Sequence, residues 1–144
     1  MQSHFTENTM TSDMVDVLRK EVLYGYDETI KRVEEALLSE GFGIQLTKGM
    51  HGMLMQKLGL DDYPKYTMVL ACKPQLAKRA LDISKDMGTI FPCSFTVYEE
   101  DGKVMVAHVS IMKIGAEIGL ADKDAMASLI EDTGKDIRKV WDKI

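Results

Sequence analysis

Two cysteines and a histidine are the side chains in this sequence best suited to nucleophilic or metal chemistry. Cys72 ends an apolar run that predicts a strand, and Pro74 suits the first position of the helix that follows. A thiol at a helix N-terminus has a lowered pKa, and the adjacent Lys73 adds positive charge. The same spacing fits a packed strand cysteine, because free cysteine is among the most buried residues. A reactive thiolate and a core cysteine are both open at position 72.

A hairpin relates the second cysteine, Cys93, to His108. Asp101-Gly102 is a strong signal for a two-residue turn. Such a turn places Phe95 opposite His108, and Cys93 then lies opposite Ser110. Opposed residues share a face of a sheet, so Cys93 and His108 become diagonal neighbours that could share a ligand or a hydrogen bond. A core cysteine and a structural histidine are the alternatives, and a bulge in the turn would change the pairing.

The remaining residues of this hairpin predict a second face. They alternate with the first set along both strands: Met105, Ala107 and Val109 on one strand, and Ser94, Thr96 and Tyr98 on the other. This face is too apolar to be fully exposed to water, so we expect a cover such as a second subunit.

Whether the two cysteines meet depends on the strand that holds Cys93. Gly88 to Glu99 predicts a strand that is interrupted at Pro92, which implies a bulge or an edge. A helix between the two strands would suit parallel pairing. If Cys93 then starts its strand, the thiols of Cys72 and Cys93 lie at opposite ends, about 20 Å apart at ~3.3 Å per residue. If Cys93 lies well inside the strand, the two positions coincide, and the sequence leaves both arrangements open.

The segment Met50-His51-x-Met53-x-Met55 contains the residue types of a soft-metal site. Met50, Leu54 and Leu58 also make a helical stripe, and methionine commonly fills gaps in cores. A core or contact surface is therefore the favoured interpretation. No paired carboxylates, zinc spacing, nucleophile elbow, phosphate-binding loop or dinucleotide fingerprint occurs in the sequence, which leaves the cofactor unidentified.

Alternating strands and helices carry these residues. Apolar residues at helical spacing predict amphipathic helices at Tyr26–Glu40 and Lys123–Lys143. Tyr66–Cys72 is nearly all apolar and predicts a strand buried on both faces. The other predicted elements are strands at Val15–Leu23, Gly43–Thr47 and Val104–Ser110 and short helices at Met50–Leu58, Pro74–Ile83 and Ile111–Ile118. The fold class is α+β: a two-layer sandwich with a mixed or mostly antiparallel sheet of about five strands and two main helices on one face.

Length and charge bound the class of protein. A chain of 144 residues fits one domain, which we place at residues 13–144 after a polar, flexible arm at residues 1–12. The net charge of −5 argues against a binder of nucleic-acid backbones. No apolar run reaches membrane-spanning length, which argues against a membrane partner. Two cysteines outside any disulfide framework suit a reducing cytoplasm.

Two short motifs carry a family resemblance: Leu70-Ala71-Cys72-Lys73-Pro74 and Phe91-Pro92-Cys93. In order and separation they resemble the Ala-Cys-Asn-Pro and Leu-Pro-Cys motifs of domain-of-unknown-function family 302 (DUF 302). The resemblance implies a TATA-binding-protein-like fold and homodimers, and it implies no activity. Lys73 stands where that family usually has Asn, and Ser110-Ile111 stands where it often has Asp-Pro. If those polar residues line a site, the resemblance implies that the site is altered or lost in this chain.

These observations predict a binding module rather than a member of a common enzyme class. We expect a homodimer whose sheet face or inter-subunit groove holds a small ligand or a partner protein. The candidate binding residues are Cys72, Lys73, Cys93, His108 and Ser110. The alternative is a thiol- or metal-dependent enzyme or redox protein that uses Cys72 with Cys93 or His108.

Overall fold

The structure, a computed structural model, describes the backbone of residues 5–8 and all of residues 17–144. This part of the chain contains six strands and five α-helices. In chain order they are β1 (Phe5–Asn8), β2 (Val17–Val22), α1 (Tyr26–Ser39), β3 (Gly43–Gly49), α2 (Met50–Leu58), β4 (Tyr66–Cys72), α3 (Pro74–Ile83), β5 (Cys93–Glu100), β6 (Lys103–Val109), α4 (Ile111–Glu117) and α5 (Lys123–Asp142). A 3-10 helix at Lys85–Ile90 lies between α3 and β5.

The strands form one sheet in the order β1-β2-β6-β5-β4-β3. Every neighbouring pair is antiparallel. The predicted α+β fold with about five strands is confirmed, and β1 adds a sixth strand at the edge beside β2. The rest of the predicted arm at residues 1–12, and residues 13–16, lie outside the described residues, so the boundary at residue 13 stays a prediction.

Parallel pairing around the helix α3 is wrong. The 3-10 helix follows α3, and the chain from its end to Pro92 returns to the end of the sheet where β4 finishes. β5 therefore begins at Cys93 and runs antiparallel to β4. The interrupted strand predicted from Gly88 to Glu99 is wrong for the same reason, because its first residues belong to this connection.

The hairpin between β5 and β6 has the predicted register. Asp101 and Gly102 have φ angles of 53° and 75°, which are the left-handed values that a type I′ turn requires at both central positions. Glu100 consequently pairs with Lys103, and further along the hairpin Phe95 pairs with His108. The face that each residue of the hairpin occupies follows from this turn alone.

Four helices bury one face of the sheet. Leu37 of α1 and Trp141 of α5 are among the largest side chains of the core, and they pack with Phe95 of β5 and Val106 of β6. Thr67, Val69 and Ala71 of β4 are buried on this face, while the residues between them are only half-buried. The expectation that β4 is buried on both faces is therefore wrong.

The opposite face of the sheet, which we call the open face, has half-buried side chains. Its members are Tyr66, Met68 and Leu70 of β4, Ser94, Thr96 and Tyr98 of β5, and Met105, Ala107 and Val109 of β6. These residues include the face of the hairpin for which a cover is expected. The rings of Tyr66 and Tyr98 stack there with their centroids 5.6 Å apart.

A lysine of β2 connects the sheet to the C-terminal end of α5. Lys20 of β2 donates hydrogen bonds from Nζ to the backbone oxygens of Trp141 at 2.8 Å and Ile144 at 3.1 Å. A cation suits this place because the last carbonyls of a helix carry partial negative charge.

Within the described residues, no helix is long and apolar enough to cross a lipid bilayer.

Candidate functional site

The candidate site lies where β4 ends and β5 begins. The two strands are antiparallel neighbours, and Ala71 pairs with Cys93. Cys72, the last residue of β4, and Cys93, the first residue of β5, are therefore at the same end of the sheet. The arrangement that placed their thiols about 20 Å apart is wrong, because it assumed parallel strands.

A small pocket at this end is lined by all five candidate residues, namely Cys72, Lys73, Cys93, His108 and Ser110. Its remaining walls are mainly apolar and come from α3, α4, α5 and the loops: Phe42, Leu76, Phe91, Met112 and Ile137 are examples. The cavity volume is about 40 Å³, room for roughly three water molecules. A site for a drug-sized ligand is several times larger, so this pocket suits a group of a few atoms.

Cys93 is a poor nucleophile in this setting. Its Sγ–H donates to the backbone oxygen of Ala71 at 3.2 Å. Burial, and then the nearby sulfur of Cys72, raise the pKa of Cys93 to about 12. The thiol is consequently protonated at neutral pH, and the thiolate is the form that attacks electrophiles and binds metals.

Lys73 faces α5 rather than a thiol. Its Nζ lies 2.8 Å from a carboxylate oxygen of Asp136, and about a fifth of each side chain is exposed. The same ammonium lies 5.6 Å from the centre of the Phe42 ring. Because Asp136 balances this charge, the expected assistance to a Cys72 thiolate is weakened.

The two departures from the family motifs fall at helix N-caps. Ser110 is the N-cap of α4, and its Oγ accepts the backbone N–H of Lys113 at 3.3 Å. An Asp-Pro pair at this place would supply the same cap and a proline at the first helical position. Lys73 is the N-cap of α3 and makes no side-chain cap, whereas Asn is a preferred N-cap residue. Both departures therefore bear on helix capping as well as on the pocket.

His108 is the most constrained polar side chain of the pocket. It is 6% exposed, and its ring stacks on Phe95 with a centroid distance of 4.3 Å. Nδ1 lies 2.8 Å from the backbone oxygen of Ser94. Since a carbonyl only accepts, Nδ1 carries the proton, and Nε2 of the neutral ring is an acceptor. Burial lowers the pKa of His108 to about 4, so the ring is neutral at pH 7.

Thr133 of α5 is a polar residue of the pocket that sequence reasoning missed. It is 8% exposed, and its Oγ1 has no hydrogen-bond partner among the described residues. A buried hydroxyl without a partner costs about 1–3 kcal/mol. The available signal was its spacing, because Thr133 lies four residues from both Leu129 and Ile137 on the buried stripe of α5. A hydroxyl on such a stripe needs a partner.

The methionine-rich helix α2 is separate from the pocket. None of its residues is fully buried. His51 Nδ1 accepts the backbone N–H of Tyr66 at 3.1 Å, which commits one ring nitrogen to the edge of β4. Within residues 17–144, no three His, Cys, Asp or Glu side chains are grouped as metal ligands.

Together, an antiparallel sheet with helices on one face and an apolar pocket at one end define a small α+β domain. The family model for the domain of unknown function DUF302 matches residues 18–144, so the chain belongs to this family. The chain is also similar to the uncharacterized conserved protein DUF302 from Bacillus stearothermophilus, whose crystal structure superposes with a TM-score of 0.77 at 28% identity. That match covers 88% of this chain and 96% of the other. No curated protein matches the sequence, and the TATA-binding-protein-like fold stays a prediction.

Proposed function

We propose that this protein is a binding module that holds a small, mainly apolar molecule in the pocket at the end of β4 and β5. The observation that carries the proposal is the convergence of side chains from three strands and three helices on one cavity. Apolar walls with a few fixed polar groups are the usual construction of a small-molecule site. Two free thiols beside one pocket are also consistent with a reducing compartment, and we propose the cytoplasm.

The alternative function, thiol or metal chemistry, has less support. Cys93 is held protonated by burial, and the Lys73 ammonium is paired with Asp136. His108 already donates one ring proton to Ser94. A reactive thiolate would therefore have to be Cys72 without these groups as activators. An iodoacetamide reaction rate for Cys72 well above that of an ordinary exposed thiol would restore this alternative.

Filling the pocket tests the binding proposal. Ala77 of α3 lines the cavity, so Ala77→Leu places three extra carbons in it. Ala127→Leu, on the exposed side of α5, is the matched control. Binding of isopropanol is followed by the NMR shifts of the Leu76 and Ile137 methyl groups. We expect saturable shifts in the parent and the control and no saturable binding in Ala77→Leu, because the added carbons occupy the cavity. Equal affinity in all three proteins would contradict the proposal.

We also propose that a second copy of the chain covers the open face. Its apolar residues lie on β4 and β6, on either side of β5, and include Met68, Leu70 and Met105. The Tyr66–Tyr98 stack lies at one end of the face. Apolar side chains clustered on an uncovered sheet face mark an interaction surface, and closed homodimers are the commonest assemblies. A partner protein on the same face is the alternative occupant.

Sedimentation tests the dimer. Met68→Lys places a charge in the middle of the open face, and Ala127→Lys is the control on exposed helix surface. We expect a dimer at micromolar concentration for the parent and the control, and a monomer for Met68→Lys with an unchanged circular dichroism spectrum. A parent protein that sediments only as a monomer would rule out the dimer.

A further inference from the structure

We infer that the pocket selects an uncharged ligand with a hydrogen-bond donor, such as a hydroxyl or amide N–H on a short apolar body, and binds that donor at Nε2 of His108. The inference rests on the proposed ligand pocket and names the ligand class. It follows from two buried polar side chains on different elements, His108 on β6 and Thr133 on α5, that line the same cavity.

The first observation is the state of the His108 ring. The carbonyl of Ser94 accepts from Nδ1, so the unprotonated Nε2 is the nitrogen left for a ligand. The stack on Phe95 holds the ring in this orientation. A neutral Nε2 can only accept, which favours a donor group. It gives no attraction to a carboxylate, and the nearby Lys73 ammonium is already paired with Asp136.

The second observation is the Thr133 hydroxyl. Its Oγ1 is fully buried and has no partner within the described part of the chain. A hydroxyl can donate or accept a hydrogen bond. Thr133 can therefore pair with the oxygen of an alcohol or with the carbonyl oxygen of an amide. An unpartnered buried hydroxyl on the wall of a cavity points to a group that enters the cavity.

The third observation is that these two residues border a second space as well. His108, Ser110, Thr133 and Ile137 line both the pocket and a neighbouring cavity of about 100 Å³. Gly134 also borders the second cavity, and a side chain there would meet nothing within 4 Å. The polar pair thus lies between a small apolar pocket and a larger neighbouring cavity. This placement fits a ligand whose apolar body fills the pocket and whose polar group lies at His108 and Thr133.

Isopropanol and acetone form a matched pair of probes. They share a carbon skeleton, but only isopropanol donates a hydrogen bond. We expect isopropanol to bind about fivefold more tightly, the ratio that one net hydrogen bond provides. The ¹⁵N shift of His108 Nε2 is the direct readout, and it is expected to move with isopropanol and to stay with acetone. Equal affinities, or tighter binding of acetone, would overturn the inference.

Variants separate the roles of the two side chains. Thr133→Val keeps shape and removes the hydroxyl, and we expect it to weaken isopropanol by at least about threefold. His108→Phe keeps the stack on Phe95, removes the acceptor, and should abolish the preference for isopropanol. If this variant does not fold, the Nε2 shift in the parent still decides. Binding of both probes without preference overturns only this inference, whereas a parent that binds neither probe overturns the proposed pocket with it.

Discussion

The buried His108 ring makes the stability of the fold depend on pH. Its pKa is lowered from 6.5 to about 4 because burial opposes the charged form. In the unfolded chain the ring returns to its ordinary pKa and binds a proton more readily. Between these two pKa values the unfolded state therefore holds more protons, and the free energy of unfolding falls as the pH falls. The stability that the neutral His108 ring provides is fully present above pH 6.5 and is lost as the pH falls to about 4.

The magnitude follows from the pKa difference. Each pKa unit corresponds to ~1.36 kcal/mol, so His108 accounts for a loss of about 3 kcal/mol over this window. His108→Gln removes the titration while keeping an amide N–H for the Ser94 oxygen. We expect this variant to be less stable than the parent at pH 7 and to lose much less stability on acidification.

Urea unfolding at several pH values between about 4.5 and 7.5 measures the effect. Carboxyl groups with a lowered pKa, such as Glu40 beside Lys143, contribute to both proteins. These carboxyl contributions are the same in both proteins, so they cancel in the difference between the two free energies of unfolding. Parallel loss of stability in the two proteins would refute the reasoning, and so would an NMR titration that places the pKa of His108 near 6.5 in the folded state.

Three further predictions concern backbone space, capping and thiol reactivity. Gly134→Ala should raise the free energy of unfolding by about 0.5–1 kcal/mol, because the added methyl meets nothing within 4 Å. Gly115→Ala should lower it by about 1–3 kcal/mol, because the added methyl overlaps a buried methionine sulfur. Urea unfolding measures both changes. Lys73→Asn and Lys73→Met both lose the ion pair to α5, but only asparagine can cap α3, so the asparagine variant should be more stable by about 1 kcal/mol. With Cys72 changed to serine, Cys93 should resist iodoacetamide at pH 8 in the folded protein, because burial is the main cause of its raised pKa and still keeps the thiol protonated. Rapid labelling, detected by mass spectrometry, would contradict this burial.

Local chemistry explains which parts of the fold the sequence predicts well. The Asp101-Gly102 turn requires two left-handed residues, so the register of the hairpin, with Phe95 opposite His108, follows without any tertiary information. The stripes of α1 and α5 are likewise visible in the spacing of their apolar residues. The convergence of Cys93 and His108 on one pocket also depends on this register.

The predictions from the sequence that are wrong concern features set by contacts between distant parts of the chain. An apolar strand such as β4 looks the same whether one face or both faces are covered, and only the layer above it tells them apart. The connection before Cys93 has a sequence that predicts a strand, because nothing local shows that the chain turns back before Cys93. Thr133 was missed because a single hydroxyl on a helical stripe has no motif, and its lack of a partner appears only when α5 lies on the sheet.

The place of β2 in the sheet has a consequence for how the protein folds during synthesis. β2 is the first of the four internal strands in the chain, yet its inner neighbour is β6, the last strand. The Lys20 contact to Trp141 joins residues 121 positions apart. Ordering such distant segments is entropically demanding and slow, whereas the β5–β6 hairpin closes a short loop. We expect the hairpin to form early and β2 to lack its inner neighbour until β6 has been synthesised. Nascent chains stalled before β6 should therefore remain sensitive to protease at Val17–Val22.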